Sequence, residues 1–159
     1  MVMNVITRLL SLLDRLLNPL QSVFLLATRL YVAKPFLQSG WLKVSNWQTT
    51  LALFHDEYHV PLLPPDVAAV TGAFGELFFP VLLVLGIGGR VGALGLFAVN
   101  LMAVVSYQQV LLAEGNEAAL GSHVLWGFML SVLVVFGSGA WVLDRFWRKP
   151  NSAIPPATA

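Results

Sequence analysis

Cysteine is absent from the 159-residue chain. That removes disulfides, thiolate metal sites, cysteine-ligated iron–sulfur clusters and a cysteine nucleophile. Charge is scarce. Only 11% of residues are Asp, Glu, Lys or Arg, against about 25% in soluble domains. An ordinary water-soluble globule is therefore excluded. The signs nearly cancel, with 9 Lys and Arg against 8 Asp and Glu. No basic field exists to attract nucleic acid, and no nucleic-acid partner is expected. Histidine is limited to three residues. One of them, His123, falls in a long apolar run, so a single chain cannot build a bis-histidine haem inside a membrane. Apolar residues make up 57% of the chain and mean hydropathy is +0.77. Disorder of the whole chain is excluded on the same ground.

A bilayer core is about 30 Å thick, so a spanning helix needs roughly 20 mostly apolar residues. Four stretches qualify: 20–41, 67–87, 91–112 and 120–143. None alternates with a period of two, which argues against a β-barrel. The expected fold is an all-α membrane protein, a bundle of four transmembrane helices over residues 19–146. Residues 1–18 are expected to form an amphipathic helix lying on the membrane surface, because Asn4, Thr7, Arg8, Ser11, Asp14, Arg15 and Asn18 make a narrow polar stripe among leucines. Asn18-Pro19 would mark the bend into the first span. Residues 147–159 have little to bury and read as a disordered tail.

Basic residues prefer cytoplasmic flanks. Arg8, Arg15, Arg90, Arg145, Arg148 and Lys149 fall on one side, and Lys43 alone on the other. The expected location is a bacterial inner membrane, with multiple passes and both termini cytoplasmic. Small residues at spacing four, Ala68/Gly72, Ala69/Ala73 and Gly127/Ser131, permit close helix contact.

The outer loop holds a short amphipathic helix over 46–59, with Trp47, Leu51, Phe54 and Tyr58 on one side. Asp66 is placed to cap the second span. His55 and His59 are four apart and would share a helix face. They are a metal-ligand pair in spacing, but no third ligand is evident, and the favoured reading is two polar residues at the water boundary with no metal.

Ionisable groups inside spans need partners, because a charge at the bilayer centre costs about 2.5–3.5 kcal/mol even on the lenient insertion scale. Counting from the presumed outer boundary, Arg29 lies about 18 Å deep, Glu76 about 14 Å and Asn100 about 18 Å. The expectation is an Arg29–Glu76 ion pair with Asn100 beside it. Lys34 sits higher and either snorkels outward or competes for Glu76. His123, Gln38 and Gln109 are higher still. Arg29, Lys34, Glu76, Asn100 and His123 are thus the candidate polar site, open to the outer face, with Phe36, Trp41, Phe78 and Trp126 as candidate aromatic lining. A structural role, fixing helix register, is the competing reading of the same residues.

The order of Arg29, Phe36-Leu-Gln-Ser-Gly40-Trp-Leu-Lys43, Glu76, Gly86-Ile-Gly-Gly-Arg90, Gly139 and Leu143-Asp144 resembles the DoxX pattern. The resemblance covers roughly residues 23–144. It implies a small four-helix bacterial inner-membrane protein, some of whose relatives are linked to thiosulfate:quinone oxidoreductase or to oxidative-stress complexes. It carries over no catalytic residue. The functional expectation is a small subunit of a membrane redox system, accessory to a quinone-linked oxidoreductase if enzymatic at all. Quinone is the candidate cofactor, nothing being bound covalently. Other membrane redox proteins, and a second copy of the chain, are the candidate partners besides lipid. A non-enzymatic scaffold and, further back, a small transporter are the alternatives.

Overall fold

The computed structural model describes residues 2–88, 90–139 and 141–144. These residues form six helices: α1 (Val2–Ser45), α2 (Trp47–Asp56), α3 (Pro65–Leu85), α4 (Val91–Ser106), α5 (Gln108–Leu111) and α6 (Glu117–Phe136). No strand occurs among the described residues. Three helices are long and apolar enough to cross a membrane: 15–45 within α1, α3 and α6. The 16-residue α4 is apolar but shorter, about 24 Å in length.

Besides the end of α1, which reaches Ser45 rather than stopping at 41, three boundaries differ from the sequence expectation. The first concerns Asn18-Pro19, where α1 continues without interruption. A proline inside a helix removes one backbone bond, and the leucine-rich turns on both sides carry the helix across it. The second concerns the third span, which breaks at Tyr107. There the carbonyl of Ser106 accepts from His59 N–H at 2.9 Å, and Val110 N–H turns to Tyr107 at 3.1 Å. The third concerns the last span, which ends at Phe136. Gly137 and Gly139 follow with φ of +84° and +81°. Left-handed glycines of this kind do not continue a right-handed helix. The remaining described residues, 137–139 and 141–144, form a strap that is non-helical up to Leu143.

Helix α1 packs chiefly on α3, α3 on α4, and α4 on α6. Glycine sets the closest approaches. A Cβ on Gly92 would stand 2.7 Å from the backbone nitrogen of Leu83, and one on Gly40 would stand 2.8 Å from Leu77 and 3.0 Å from Glu76 Cβ. Leu83, Leu96, Leu130, Leu133, Val32 and Phe36 fill the centre. A second cluster forms where α2 lies across the start of α3, with Phe54 on Ala68, Ala69 and Gly72. The small residues of α3 thus receive α2 there rather than another long helix.

Helix α3 starts at Pro65, with Pro64 at its N-cap. Asp66 does not cap it: no side-chain cap bond is made, and the Asp66 carboxylate instead meets His55 Nε2 at 3.0 Å. Residues 145–159, which include the expected tail over 147–159, lie outside the described residues.

Candidate functional site

The Arg29–Glu76 pair is not formed. Glu76 packs level with Gly40, whereas Arg29 is eleven residues earlier on α1, about 16 Å along the axis. The reason is a register offset. Helix α1 reaches Ser45, and the first turns of α3 rise beyond that level to meet α2. Depths counted from Trp41 and Val67 therefore do not share an origin.

Arg29 is fully buried and serves a different purpose. Its Nη1 donates to the carbonyls of Leu83 (3.3 Å) and Val84 (3.1 Å), and its Nη2 to that of Trp141 (2.6 Å). These are carbonyls at the C-terminal end of α3 and in the strap. The end of a helix leaves such acceptors unused and carries partial negative charge. Arg29 is thus a clamp joining α1, α3 and the strap. Gly86, at φ +66°, permits it: a Cβ there would collide with Val142 and stand 2.9 Å from Arg29 Nη1. The strap adds Leu143 N–H to Leu85 O at 2.9 Å and Gly88 N–H to Asp144 Oδ1 at 3.1 Å.

Glu76 is partnered by Lys43. The Lys43 ammonium lies 2.9 Å and 2.8 Å from the two carboxylate oxygens and 2.8 Å from Ser39 Oγ. The side chains are only 16% and 11% exposed, so the pair is largely dry. The expected span ends at 41 and leaves Lys43 beyond it. Because α1 continues, Ser39, Gly40 and Lys43 lie three, four and seven residues beyond Phe36 and share one face with it. The spacing of Phe36, Gly40 and Lys43 was itself a helical signal.

This pair lies on a cavity of about 500 Å³ at the α2 end of the bundle. Phe36, Ser39 and Lys43 line it from α1, Phe54 from α2, Tyr58 from the loop behind α2, Glu76 and Phe79 from α3, Tyr107 from the end of α4, and His123 and Trp126 from α6. An edge-on chain of rings forms one wall, with His123 and Trp126 at 5.0 Å and Trp126 and Phe36 at 5.4 Å between centroids. Tyr58 stands edge-on to both Phe54 (4.8 Å) and Tyr107 (4.9 Å). Burial, with the nearby Tyr107, Glu76 and Glu57, pushes the Tyr58 phenol above its ordinary value and keeps it neutral.

Asn100 is buried behind His123. Its Nδ2 donates to the His123 carbonyl at 3.0 Å, and its Oδ1 lies 2.8 Å from His123 Nδ1. Four of the nine expected residues, Glu76, His123, Phe36 and Trp126, thus meet at the cavity, with Asn100 supporting one of them. Lys34 is exposed on α1. Trp41 is 68% exposed, and Phe78 lies outside the cavity, stacked on Phe74 at 4.9 Å. Ser39, Lys43, Phe54, Tyr58, Phe79 and Tyr107 were not anticipated.

His55 and His59 do not converge. Helix α2 ends at Asp56, so the shared-face premise fails. His55 meets Asp66, and His59 Nδ1 lies 3.2 Å from Gln109 Nε2. No cluster of three potential metal-ligating residues occurs among the described residues.

A protein of Haemophilus influenzae, described only as uncharacterized, is 28% identical over 132 residues, covering 80% of this chain and 85% of the relative. No solved structure matches. The DoxX family profile matches residues 24–109, which hold Arg29, the Phe36–Gly40–Lys43 face, Glu76 and the Gly86–Arg90 turn. The chain belongs to the DoxX family.

Proposed function

We propose that this DoxX-family protein is a four-span inner-membrane protein that acts as a small accessory subunit of a membrane redox system, holding a quinone-like amphiphile in its outer-side cavity. The cavity itself carries the reading. It combines a largely dry ion pair, an imidazole and a set of aromatic rings in a volume of about 500 Å³. Ligand sites are commonly mostly apolar hollows of about 300–1,000 Å³ with a few placed polar groups. The rings suit a planar head group, and the polar groups suit its oxygens.

In this reading α4 crosses as the third span despite its length, the bilayer thinning or the neighbouring polar residues snorkelling to accommodate it. Arg8, Arg15 and Arg90 flank the spans on the cytoplasmic side. Lys43, Glu76 and the cavity then lie toward the outer face. The chain's part is to bind and orient the amphiphile; electrons come and go through a partner.

Mild purification from native membranes tests this. The lipid extract of the wild-type protein should be enriched in a quinone, and that of a Glu76→Gln/Trp126→Ala variant should not. A redox protein should co-purify in fixed ratio. A pure preparation that neither retains nor rebinds a quinone sinks the proposal.

A scaffold role is the second reading, favoured by one observation. Leu13, Leu16, Leu17 and Leu20, in the N-terminal half of α1, are exposed. Such a face suits a membrane surface or a partner helix. Crosslinking through these turns, with no quinone retained, would favour it.

A further inference from the structure

We infer that the cavity is loaded sideways from the bilayer, through a slot between α6 and the corner where α1 meets α2. Its occupant is then a molecule dissolved in the outer leaflet and not a solute of the outer aqueous phase. This rests on the cavity being a ligand site, as proposed above.

The water-facing end is closed by a roof. Tyr58, Val60 and Leu63 line the cavity from the segment behind α2, and Ser106, Tyr107 and Leu111 line it from the break between α4 and α5. Hydrogen bonds join these two stretches. Val110 N–H turns to Tyr107, which frees the Ser106 carbonyl to accept from His59 N–H at 2.9 Å. Gln109 Nε2 donates to the Glu57 carbonyl at 2.7 Å, and the Tyr107 hydroxyl to Glu57 Oε2 at 3.2 Å. The Tyr58 and Tyr107 rings meet edge-on at 4.9 Å. Helix α2 ties the roof down at its other edges. Phe54 stands over Gly72 of α3, and Thr50 Oγ1 donates to the Lys43 carbonyl of α1 at 3.0 Å. Lifting the roof would break these contacts together.

The side is built differently. Helices α1, α3, α4 and α6 follow one another around the bundle, and the α1–α6 side is the most thinly packed of the four. Toward its outer end α6 is held from the α4–α5 side. Asn116 Nδ2 donates to the Val110 carbonyl at 2.9 Å, and Asn100 bonds to His123. Among the described residues α2 and α6 do not touch. Phe36 and Trp126 join α1 to α6 at 5.4 Å between ring centroids. Ser122 and Ala119 carry the same face of α6 onward, one and two turns nearer the outer end. Ala119 is exposed there. From Glu117, where α6 starts, to Trp126 is about 14 Å along the axis. With α6 crossing the bilayer, that stretch lies in the outer half of an acyl layer about 30 Å thick. A molecule entering here has to dissolve in lipid first.

Two devices separate the routes, and the absence of cysteine makes the first one clean. A reducible bifunctional thiol reagent across His59→Cys/Gln109→Cys clamps the roof shut. Ala119→Phe/Ser122→Phe fills the slot. Neither change touches a residue that lines the cavity. Full-length protein in nanodiscs is mixed with a decyl quinone, and stopped-flow tryptophan quenching reads entry and exit, with the Glu76→Gln/Trp126→Ala protein as the blank. Clamping the roof should leave both rates within about twofold of the unclamped protein. Filling the slot should slow both rates by at least about tenfold, a barrier of about 1.4 kcal/mol, while affinity stays within about threefold. Slowing by the clamp that reverses on reduction overturns the inference and leaves the cavity reading standing. So does a filled slot that leaves the rates unchanged, or one that weakens affinity without slowing exit, since that would be a packing effect and not a gate. Absence of quinone binding in every protein overturns both. If Ala119→Phe/Ser122→Phe does not fold, the clamp still decides: unchanged rates uphold the sideways route, and reversible slowing overturns it.

Discussion

Replacing Lys43 by methionine would strand the Glu76 carboxylate. In the folded protein both carboxylate oxygens accept from Lys43, at 2.9 Å and 2.8 Å. Removing one partner of a buried ion pair costs about 3–5 kcal/mol, because the other charge remains uncompensated. The two side chains are 16% and 11% exposed, so the loss should fall at the lower end, about 3 kcal/mol. Lys43→Met/Glu76→Gln removes both charges and should recover about 2 kcal/mol of that loss. Reversible unfolding in mixed detergent micelles, run on the wild type, both single variants and the double variant, measures the coupling. A parallel cycle with Arg29→Leu and Glu76→Gln is the control. Those side chains share no partner, and Arg29 sits about 16 Å along the α1 axis from the level of Glu76, so their effects should add within about 0.5 kcal/mol. Additivity in the Lys43 cycle, or strong coupling in the Arg29 cycle, would refute the assignment of partners.

Gly86→Ala should destabilise by about 2–4 kcal/mol, since it adds a left-handed backbone penalty to a collision with Val142; thermal unfolding checks it, and a neutral effect would show that the clamp region yields. Gly40→Val should separate α1 from α3 at Leu77 and Glu76, lowering stability by about 1–3 kcal/mol and raising exchange of α3 amides; unchanged exchange counts against the packing. Tyr58 holds its proton more tightly when folded than when unfolded. Its contribution to stability is therefore full below the ordinary phenol value near about 10 and is lost as pH rises through the higher folded value. Difference absorbance between wild type and Tyr58→Phe should place the phenolate transition above about 10, and a transition at or below that value contradicts the burial.

Helix content and apolar character were legible because long apolar runs leave few alternatives. The position of the cavity was half legible. Glu76 and His123 were found because an ionisable group in an apolar run stands out by itself. Lys43 was missed because its place depends on where α1 ends, and hydropathy falls before the helix does. Arg29 was found but given the wrong partner. Sequence spacing measures depth along one helix and carries no information on how far a neighbour slides past it. Here the turns of α3 that rise past the end of α1 carry Gly72 under Phe54, a contact between α2 and α3 that no periodicity within either segment reveals. The end of α6 was legible in retrospect, since Gly137-Ser138-Gly139 is a poor continuation of a helix.

The two cations of α1 illustrate why the same problem has two solutions. Arg29 and Lys43 are both withdrawn from water, and each needs compensation. The guanidinium is a planar fork with five donors, and three backbone carbonyls at the end of α3 and in the strap receive it. Those acceptors belong to the backbone, so they persist whatever side chains surround them, and the clamp serves the fold. The ammonium is a compact charge with three donors, all directed at side chains that line the cavity. Side-chain acceptors can be recruited by an incoming molecule, so under the proposed ligand-site reading this second arrangement would respond to occupancy. The chemistry of each donor thus separates the tasks along one helix: substitution at Arg29 reports on folding, and substitution at Lys43 reports on folding together with whatever the cavity holds.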